Sequence, residues 1–169
     1  QALWGGAAAG IVQPLNPLLS DEKLASLMNA SKARVLVAWG DEASEGDAGM
    51  WAKALRVRTH VPTLQTVLRV APHGTVAPAM VPAGCADFSA VVATEVKTHL
   101  VSGRAIAPTD IAAFFHTGGT TGAPKLARQS HGAQVFTAWA CVQLQGVRVD
   151  DVAINGYPLF HVAGVLAGS

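Results

Sequence analysis

The sequence of 169 residues predicts an α/β fold, in which helices flank a layered and largely parallel sheet. Apolar stretches typical of strands alternate with stretches of helical spacing, which is the usual pattern of parallel sheets with helical connections. A strand is predicted over 34–39, where residues 35–39 form an unbroken apolar run typical of a strand buried on both faces. Half of the residues are apolar and 14 % are charged, so one domain of this length can bury a substantial core.

The individual elements are predicted from periodicity and from residues that begin or end them. Ser20 is a typical helix N-cap, and Asp21 and Glu22 follow it in the first turn, where the helix dipole favours acidic groups. Prolines and glycines concentrate in residues 71–85, which we expect to form an exposed loop. We predict further helices over 1–9, 50–57, 88–96 and 132–144, and strands over 11–15, 34–39, 66–70, 111–115, 126–130 and 153–155.

Charge and cysteine content exclude several classes of function. The formal net charge is +1, and no cluster of lysine and arginine offers the basic surface that nucleic-acid-binding proteins need. Cys85 and Cys141 are two isolated cysteines, so neither a disulfide framework nor a metal site is expected. No apolar run is long enough for a membrane span, and the first residues lack a signal-peptide pattern. We therefore expect a cytoplasmic protein with reduced thiols.

Residues 116–125, His-Thr-Gly-Gly-Thr-Thr-Gly-Ala-Pro-Lys, carry the strongest functional signal. Three glycines allow consecutive backbone N–H groups to turn toward an anion, three threonines add hydroxyl donors, and Lys125 adds a positive charge. A strand, a Gly/Thr-rich loop and a lysine in that order predict a phosphate-binding loop whose expected ligand is a nucleotide. We expect the loop to leave one strand and to return as a second short strand before the helix near Gly132.

The two commonest phosphate-binding loops do not fit this segment. A Walker A loop has Gly directly before its lysine and Ser or Thr directly after it, whereas Pro124 and Leu126 flank Lys125 here. The glycine spacing also departs from the dinucleotide-binding fingerprint. A helix beginning at Gly122 or Lys125 would instead favour an ordinary P-loop NTPase.

The segment closely resembles the signature of the adenylate-forming enzymes, which include acyl-CoA synthetases, luciferases and the adenylation domains of peptide synthetases. The central Gly-Thr-Thr-Gly-x-Pro-Lys is intact, and Ser130-His131 stands where the family has Thr/Ser-His. His116, Gly118 and Leu126 replace an aromatic residue, a serine and a glycine of that pattern.

Two further segments strengthen the resemblance. Residues 157–164 (Tyr-Pro-Leu-Phe-His-Val-Ala-Gly) resemble the next core motif of acyl- and aryl-CoA synthetases, whose aromatic–histidine pair lies beside the carboxylate substrate. Residues 10–17 (Gly-Ile-Val-Gln-Pro-Leu-Asn-Pro), followed by Leu-Ser-Asp-Glu at 19–22, resemble an upstream segment of the same group. The resemblance therefore extends over the whole chain.

The resemblance implies a ligase that joins a carboxylic acid to CoA through an acyl-adenylate, with ATP and Mg²⁺ as cofactors and CoA as a substrate. Lys125 and His161 are the catalytic candidates. Lys125 would offset charge on the departing pyrophosphate, and His161 would help to orient the acyl carboxylate. The predicted ATP-binding residues belong to the loop and its stems: Thr117, Gly118, Gly119, Thr120, Thr121, Gly122 and Lys125. No metal ligand is predicted in this chain.

Structural or non-catalytic roles are alternative interpretations for three histidines and for the loop. His161 is alternatively a structural histidine with its hydrogen bonds satisfied, His116 a packing residue, and His131 the first residue of the following helix. The loop itself could belong to a non-catalytic nucleotide- or phosphate-binding module.

Members of the resembled family have a large N-terminal domain and a small mobile C-terminal one. Residues 1–169 are therefore predicted to be a partial N-terminal AMP-binding domain, lacking the C-terminal domain and inactive alone. Its expected partners are a carboxylic acid, ATP, CoA and the remainder of the parent enzyme, with no nucleic acid and no membrane span. Fatty acid metabolism is the expected setting, although the sequence leaves the acid itself open. We also expect an exposed apolar surface near Trp4 or residues 162–166.

Overall fold

The computed structural model describes residues 2–40, 49–72, 82–94, 99–117 and 125–167. The chain divides into two compact units. Unit 1 combines residues 1–16 with 100–169, and unit 2 consists of residues 17–99. Both motifs that resemble ligand-binding segments, at 116–131 and 157–164, belong to unit 1.

Helices and strands mostly occupy the positions that the sequence predicts. The helices are α1 (Ala2–Ala9), α2 (Asp21–Ser31), α3 (Met50–Arg58), α4 (Phe88–Thr94), α5 (His131–Gln145) and α6 (Val162–Ala167). The strands are β1 (Val35–Trp39), β2 (Thr66–Val70), β3 (Cys85–Asp87), β4 (Ile111–His116) and β5 (Leu126–Ser130). Within the described ranges, none of these helices has the length and apolar character needed to cross a bilayer.

Unit 2 contains the parallel sheet, with the strand order β1-β2-β3. Helix α3 connects β1 to β2 and packs on both strands, while α2 packs on α3. The helices form for local reasons, since the Ser20 hydroxyl accepts a hydrogen bond from the Lys23 N–H at 3.4 Å and so caps α2. Val57, Val61 and Val67 are at most 2 % exposed and form the centre of this packing.

One face of the sheet in unit 2 departs from the sequence prediction. The apolar run at 35–39 predicts a strand buried on both faces, but Val35, Val37 and Trp39 are 53 %, 37 % and 50 % exposed. They alternate with Ala38, which is buried. The prediction of a strand is confirmed, whereas that of burial on both faces is wrong within this chain.

Unit 1 is built around a β-hairpin. Strands β4 and β5 pair antiparallel, with His116 opposite Leu126 and Phe114 opposite Arg128. The N-terminal segment of the chain joins β4 through Val12, whose N–H donates to the Ala112 carbonyl at 3.0 Å and whose carbonyl accepts from the Phe114 N–H at 2.8 Å. The strand predicted over 11–15 is thus reduced to a single parallel bridge.

The core of unit 1 lies between β4 and α6. Ala113 and Phe115 of β4 pack with Val165 and Leu166 of α6, and all four side chains are buried. The expectation that residues 162–166 face an exposed apolar surface is therefore wrong, because Val165 and Leu166 are only 3 % and 7 % exposed. Trp4, the other residue named for that surface, is 49 % exposed.

The strand predicted over 153–155 is also wrong, because this segment is irregular. The Asn155 side chain donates to the Gly164 carbonyl at 2.8 Å and accepts from the Tyr157 N–H at 3.0 Å. Short polar side chains that bond nearby backbone in this way compete with regular structure, and here they hold a turn.

Candidate functional site

The β4–β5 hairpin positions the candidate phosphate-binding loop. Beyond the His116–Leu126 pair, the Thr117 N–H donates to the Lys125 carbonyl at 3.1 Å and extends the ladder by one step. Thr117 and Lys125 therefore face each other across the root of the segment 118–124. The paired strands thus fix the separation between the two residues that flank this segment.

Five of the predicted ATP-binding residues, Gly118, Gly119, Thr120, Thr121 and Gly122, lie outside the described residues. Their roles remain predictions. The structure describes the two residues that flank the loop, Thr117 and Lys125, and both side chains are exposed. The Thr117 hydroxyl lies 3.5 Å from the Lys125 carbonyl oxygen.

The path of the chain after the loop separates two classes of nucleotide site. Residues 126–130 continue from Lys125 as strand β5, and helix α5 begins only at His131. The prediction of a returning strand is confirmed, and the helix at Lys125 that would favour a P-loop NTPase is not found. The Ser130 hydroxyl accepts from the Ala133 N–H at 3.2 Å, so it caps α5, and the interpretation of His131 as the first helical residue is confirmed.

The far end of the hairpin is held by Asp110, the residue before β4. Its carboxylate accepts from the Ala107 N–H at 3.1 Å and from the Arg104 guanidinium at 3.4 Å. These contacts, the Ala107 amide above all, hold the pKa of the Asp110 carboxyl below its usual value, although partial desolvation opposes them. The Asp110 carbonyl also accepts from the His131 N–H at 2.9 Å, which joins the start of β4 to the start of α5.

The second candidate motif, residues 157–164, forms a turn that leads into α6. The His161 N–H donates to the Pro158 carbonyl at 2.9 Å, which closes the turn. Gly164 allows α6 to approach this turn, because a Cβ atom at that position would clash with the Pro158 carbonyl oxygen. Asn155 ties the same region together through its bonds to Tyr157 and Gly164.

His161 has a structural contact as well as a candidate catalytic role. Its Nδ1 accepts a hydrogen bond from the Ala163 N–H at 3.2 Å, so the imidazole satisfies one of the free amides at the start of α6. In the neutral ring this contact leaves the proton on Nε2. The His161 side chain is otherwise exposed. The geometry thus makes Nε2 a hydrogen-bond donor toward solvent or ligand.

A ring contact links the two motifs. The imidazole of His116 stacks on the phenyl ring of Phe160, with centroids 6.2 Å apart and planes inclined by 27°. The interpretation of His116 as a packing residue is therefore confirmed. Sequence inspection did not identify Phe160 as its partner, because no local spacing connects two residues that are so far apart in the chain.

No metal centre is evident within the described ranges, where no group of three or more His, Cys, Asp or Glu side chains is arranged to hold an ion. Cys85 and Cys141 are both free thiols.

Comparison with known proteins decides the family. The sequence model of the AMP-binding enzyme family matches residues 5–168. The chain belongs to the AMP-binding enzyme family. The resemblance of the chain to this family is thereby confirmed, and the fold of a layered α/β domain agrees with solved structures of adenylate-forming enzymes.

The individual relatives include a CoA ligase and two solved structures of similar fold. Marinolic acid–CoA ligase of Pseudoalteromonas sp. (strain SANK 73390) is 27 % identical over 175 residues, covering 99 % of this chain and 25 % of that protein. MbtA of Mycobacterium smegmatis superposes with a TM-score of 0.71 at 26 % identity, covering 98 % of this chain and 29 % of its own. ATP-bound MatB of Rhodopseudomonas palustris superposes with a TM-score of 0.68 at 20 % identity, covering 96 % and 28 %. This chain therefore spans about a quarter of the length of the proteins it matches.

Proposed function

We propose that this chain carries the ATP-phosphate-binding part of an AMP-forming acyl-CoA synthetase, an ATP-dependent carboxylate–CoA ligase. The observation that carries the proposal is the β4–β5 hairpin, which closes the Gly/Thr-rich segment 118–124 with Lys125 at its root. Membership of the AMP-binding enzyme family and the CoA ligase among the relatives support it. Residues 1–169 are then part of the N-terminal domain, and the remainder of the parent enzyme supplies the other substrate contacts and the C-terminal domain.

The proposed reaction has two steps. A carboxylate oxygen of the acid attacks the α-phosphorus of ATP, the α–β phosphoanhydride bond breaks, and pyrophosphate leaves. The thiol sulfur of CoA then attacks the acyl carbon of the adenylate, AMP leaves with the bonding electrons, and the thiol proton passes to solvent. The partners are thus a carboxylic acid, ATP and CoA.

Three described side chains fit the first step. Lys125 is an exposed cation at the loop root and would neutralise charge that develops on the departing pyrophosphate. Thr117 would add a hydroxyl donor at the opposite stem. His161 presents Nε2–H, which suits it to donate to the carboxylate or adenylate oxygen rather than to accept a proton. Mg²⁺, when bound, would supply further neutralisation of the phosphate oxygens, and we assign it no ligand among the described residues.

The free thiols of Cys85 and Cys141 support a cytoplasmic location for the parent enzyme.

The test is ATP–pyrophosphate exchange by the intact enzyme that contains this chain, measured across a panel of short, medium, long and aromatic carboxylic acids. We expect exchange that depends on one class of acid and on Mg²⁺, followed by CoA-dependent release of AMP. Reactions without acid, and reactions with EDTA, are the controls. Tight ATP binding without exchange for any acid would contradict the proposal and favour a non-catalytic nucleotide-binding module.

A further inference from the structure

The His116–Phe160 stack connects the two segments that the proposed reaction requires. His116 is the last residue of β4, next to the loop stem at Thr117, and Phe160 immediately precedes His161. The centroid separation of 6.2 Å lies within the range of about 4.5–7 Å in which aromatic pairs attract each other beyond simple burial. Because Phe160 and His161 are consecutive, a contact that fixes the Phe160 ring restrains the backbone segment that also carries the His161 imidazole.

The stack adds a second attachment of the 157–164 motif to β4. The first is the packing of Val165 and Leu166 on Ala113 and Phe115. That core contact holds the body of α6 but lies beyond His161 in the chain. The ring contact lies just before His161 in the chain, so the two attachments restrain the backbone on both sides of this residue.

His116 makes this contact with the face of its ring, and the ring nitrogens form no hydrogen bond to Phe160. Its Nδ1 is buried and has no hydrogen-bond partner within the described part of the chain. A stacking role of this kind can be filled by another flat ring. It cannot be filled by an aliphatic side chain of similar volume.

We propose that His116 is a positioning residue for the acid substrate, which acts by holding Phe160 and thereby orienting His161 against the loop root. This role rests on the proposed function. It predicts that loss of the stack weakens the use of the acid and leaves the affinity for ATP nearly unchanged. Because a misplaced catalytic group can cost large factors in rate, we expect about a tenfold effect on kcat/KM for the acid.

The experiment compares leucine and phenylalanine variants of the intact enzyme in the exchange reaction. His116→Leu and Phe160→Leu should each lower kcat/KM for the acid by about tenfold, with KM for ATP within about twofold of the wild type. His116→Phe should restore wild-type values, and the double leucine variant should be no worse than either single one. Phe136→Leu is the matched control, since it removes a ring from the Phe136–Trp139 pair of α5.

Several results would overturn the role. His116→Phe could be as damaging as His116→Leu, KM for ATP could rise by as large a factor as kcat/KM for the acid falls, or both leucine variants could behave as the wild type. The contact itself is checked separately by a double-mutant cycle of thermal unfolding on residues 116 and 160, which requires no activity. Absence of coupling there would overturn the stack, whereas a wild-type enzyme without exchange but with coupling would overturn the proposed function and leave the contact standing.

Discussion

Lys125 and His161 are held in different ways at the residue scale, and this difference decides how each should respond to substitution. The Lys125 backbone is fixed by the bond from Thr117, while its side chain extends into solvent. The His161 side chain is itself part of the fold, because its Nδ1 caps α6. A change at Lys125 is therefore expected to affect chemistry alone, whereas a change at His161 affects chemistry and stability together.

Lys125→Ala in the intact enzyme should slow adenylate formation by about 10- to 100-fold, because one charge-assisted contact to the leaving pyrophosphate is lost. Thioester formation from pre-made acyl-adenylate should change little, since pyrophosphate has already departed. The two half-reactions are measured separately by pyrophosphate release and by CoA consumption. Arg128→Ala, which removes an exposed cation from the adjacent strand β5, serves as the control. Equal losses in both half-reactions would contradict the role assigned to Lys125.

Substitution of His161 by asparagine and by alanine separates its two functions. Asparagine can accept the Ala163 N–H as the imidazole does, so His161→Asn should keep the stability of the wild type. Alanine cannot, and His161→Ala should lower the free energy of unfolding by about 1 kcal/mol. Both variants should lose adenylation activity to a similar extent, because both lack the Nε2–H donor. Urea unfolding and exchange rates test this, and full activity of the asparagine variant would show that the histidine is only a cap.

At the scale of the elements, the hairpin is held at its two ends by different interactions. The loop end is closed by the Thr117–Lys125 bond, and the opposite end depends on Asp110 and its bonds to Ala107, Arg104 and His131. The bonds to Ala107 and Arg104 are made by the Asp110 carboxylate, so stability of the hairpin should depend on the ionisation of that group.

The lowered pKa of Asp110 gives the direction of this dependence. Because the folded pKa lies below the unfolded one, the stabilising contribution is present above the unfolded pKa and disappears as pH falls through the folded pKa. The melting temperature of Asp110→Asn should accordingly lie below that of the wild type at pH 6, and the difference should shrink below about pH 4. Asp150→Asn, which removes an exposed carboxylate paired with Arg148, is the control and should show little change. A difference that stayed constant with pH would contradict the assignment.

At the scale of the whole molecule, the chain exposes a large apolar surface on α5 and after it. Phe136 and Trp139 are 64 % and 58 % exposed on that helix, and Val152 and Ile154 are each 97 % exposed in the segment that follows. A contiguous exposed apolar patch of more than several hundred Å² is rare on a monomeric protein and marks an interface or a site of aggregation.

The 169-residue chain by itself should consequently self-associate, which light scattering after size-exclusion chromatography would detect. Charged substitutions at Phe136 and Trp139 should reduce the association, whereas Gln143→Glu on the same helix should not. The isolated chain should also bind ATP weakly, because a loop that contacts only the phosphates gains nothing from adenine or ribose. A monodisperse monomer with micromolar affinity for ATP would show that this surface and this loop already form a complete domain.

Much of this protein is determined by residues that are neighbours in the sequence. The cap at Ser20, the strand at 66–70 and the returning strand at 126–130 were all predicted, because capping bonds and side-chain periodicity act over a few residues. The phosphate-binding segment was recognisable for the same reason, since its glycines, threonines and lysine are contiguous.

Tertiary packing alone decided the rest. The stack of His116 on Phe160, the burial of Val165 and Leu166 on β4 and the exposure of one face of β1 each depend on residues distant in sequence. Local propensity predicted a strand at 153–155, which is wrong because the side-chain hydrogen bonds of Asn155 hold this segment in a turn. Side-chain contacts between remote segments have no periodicity along the chain, so the position of His161 relative to the loop root could emerge only from the folded molecule.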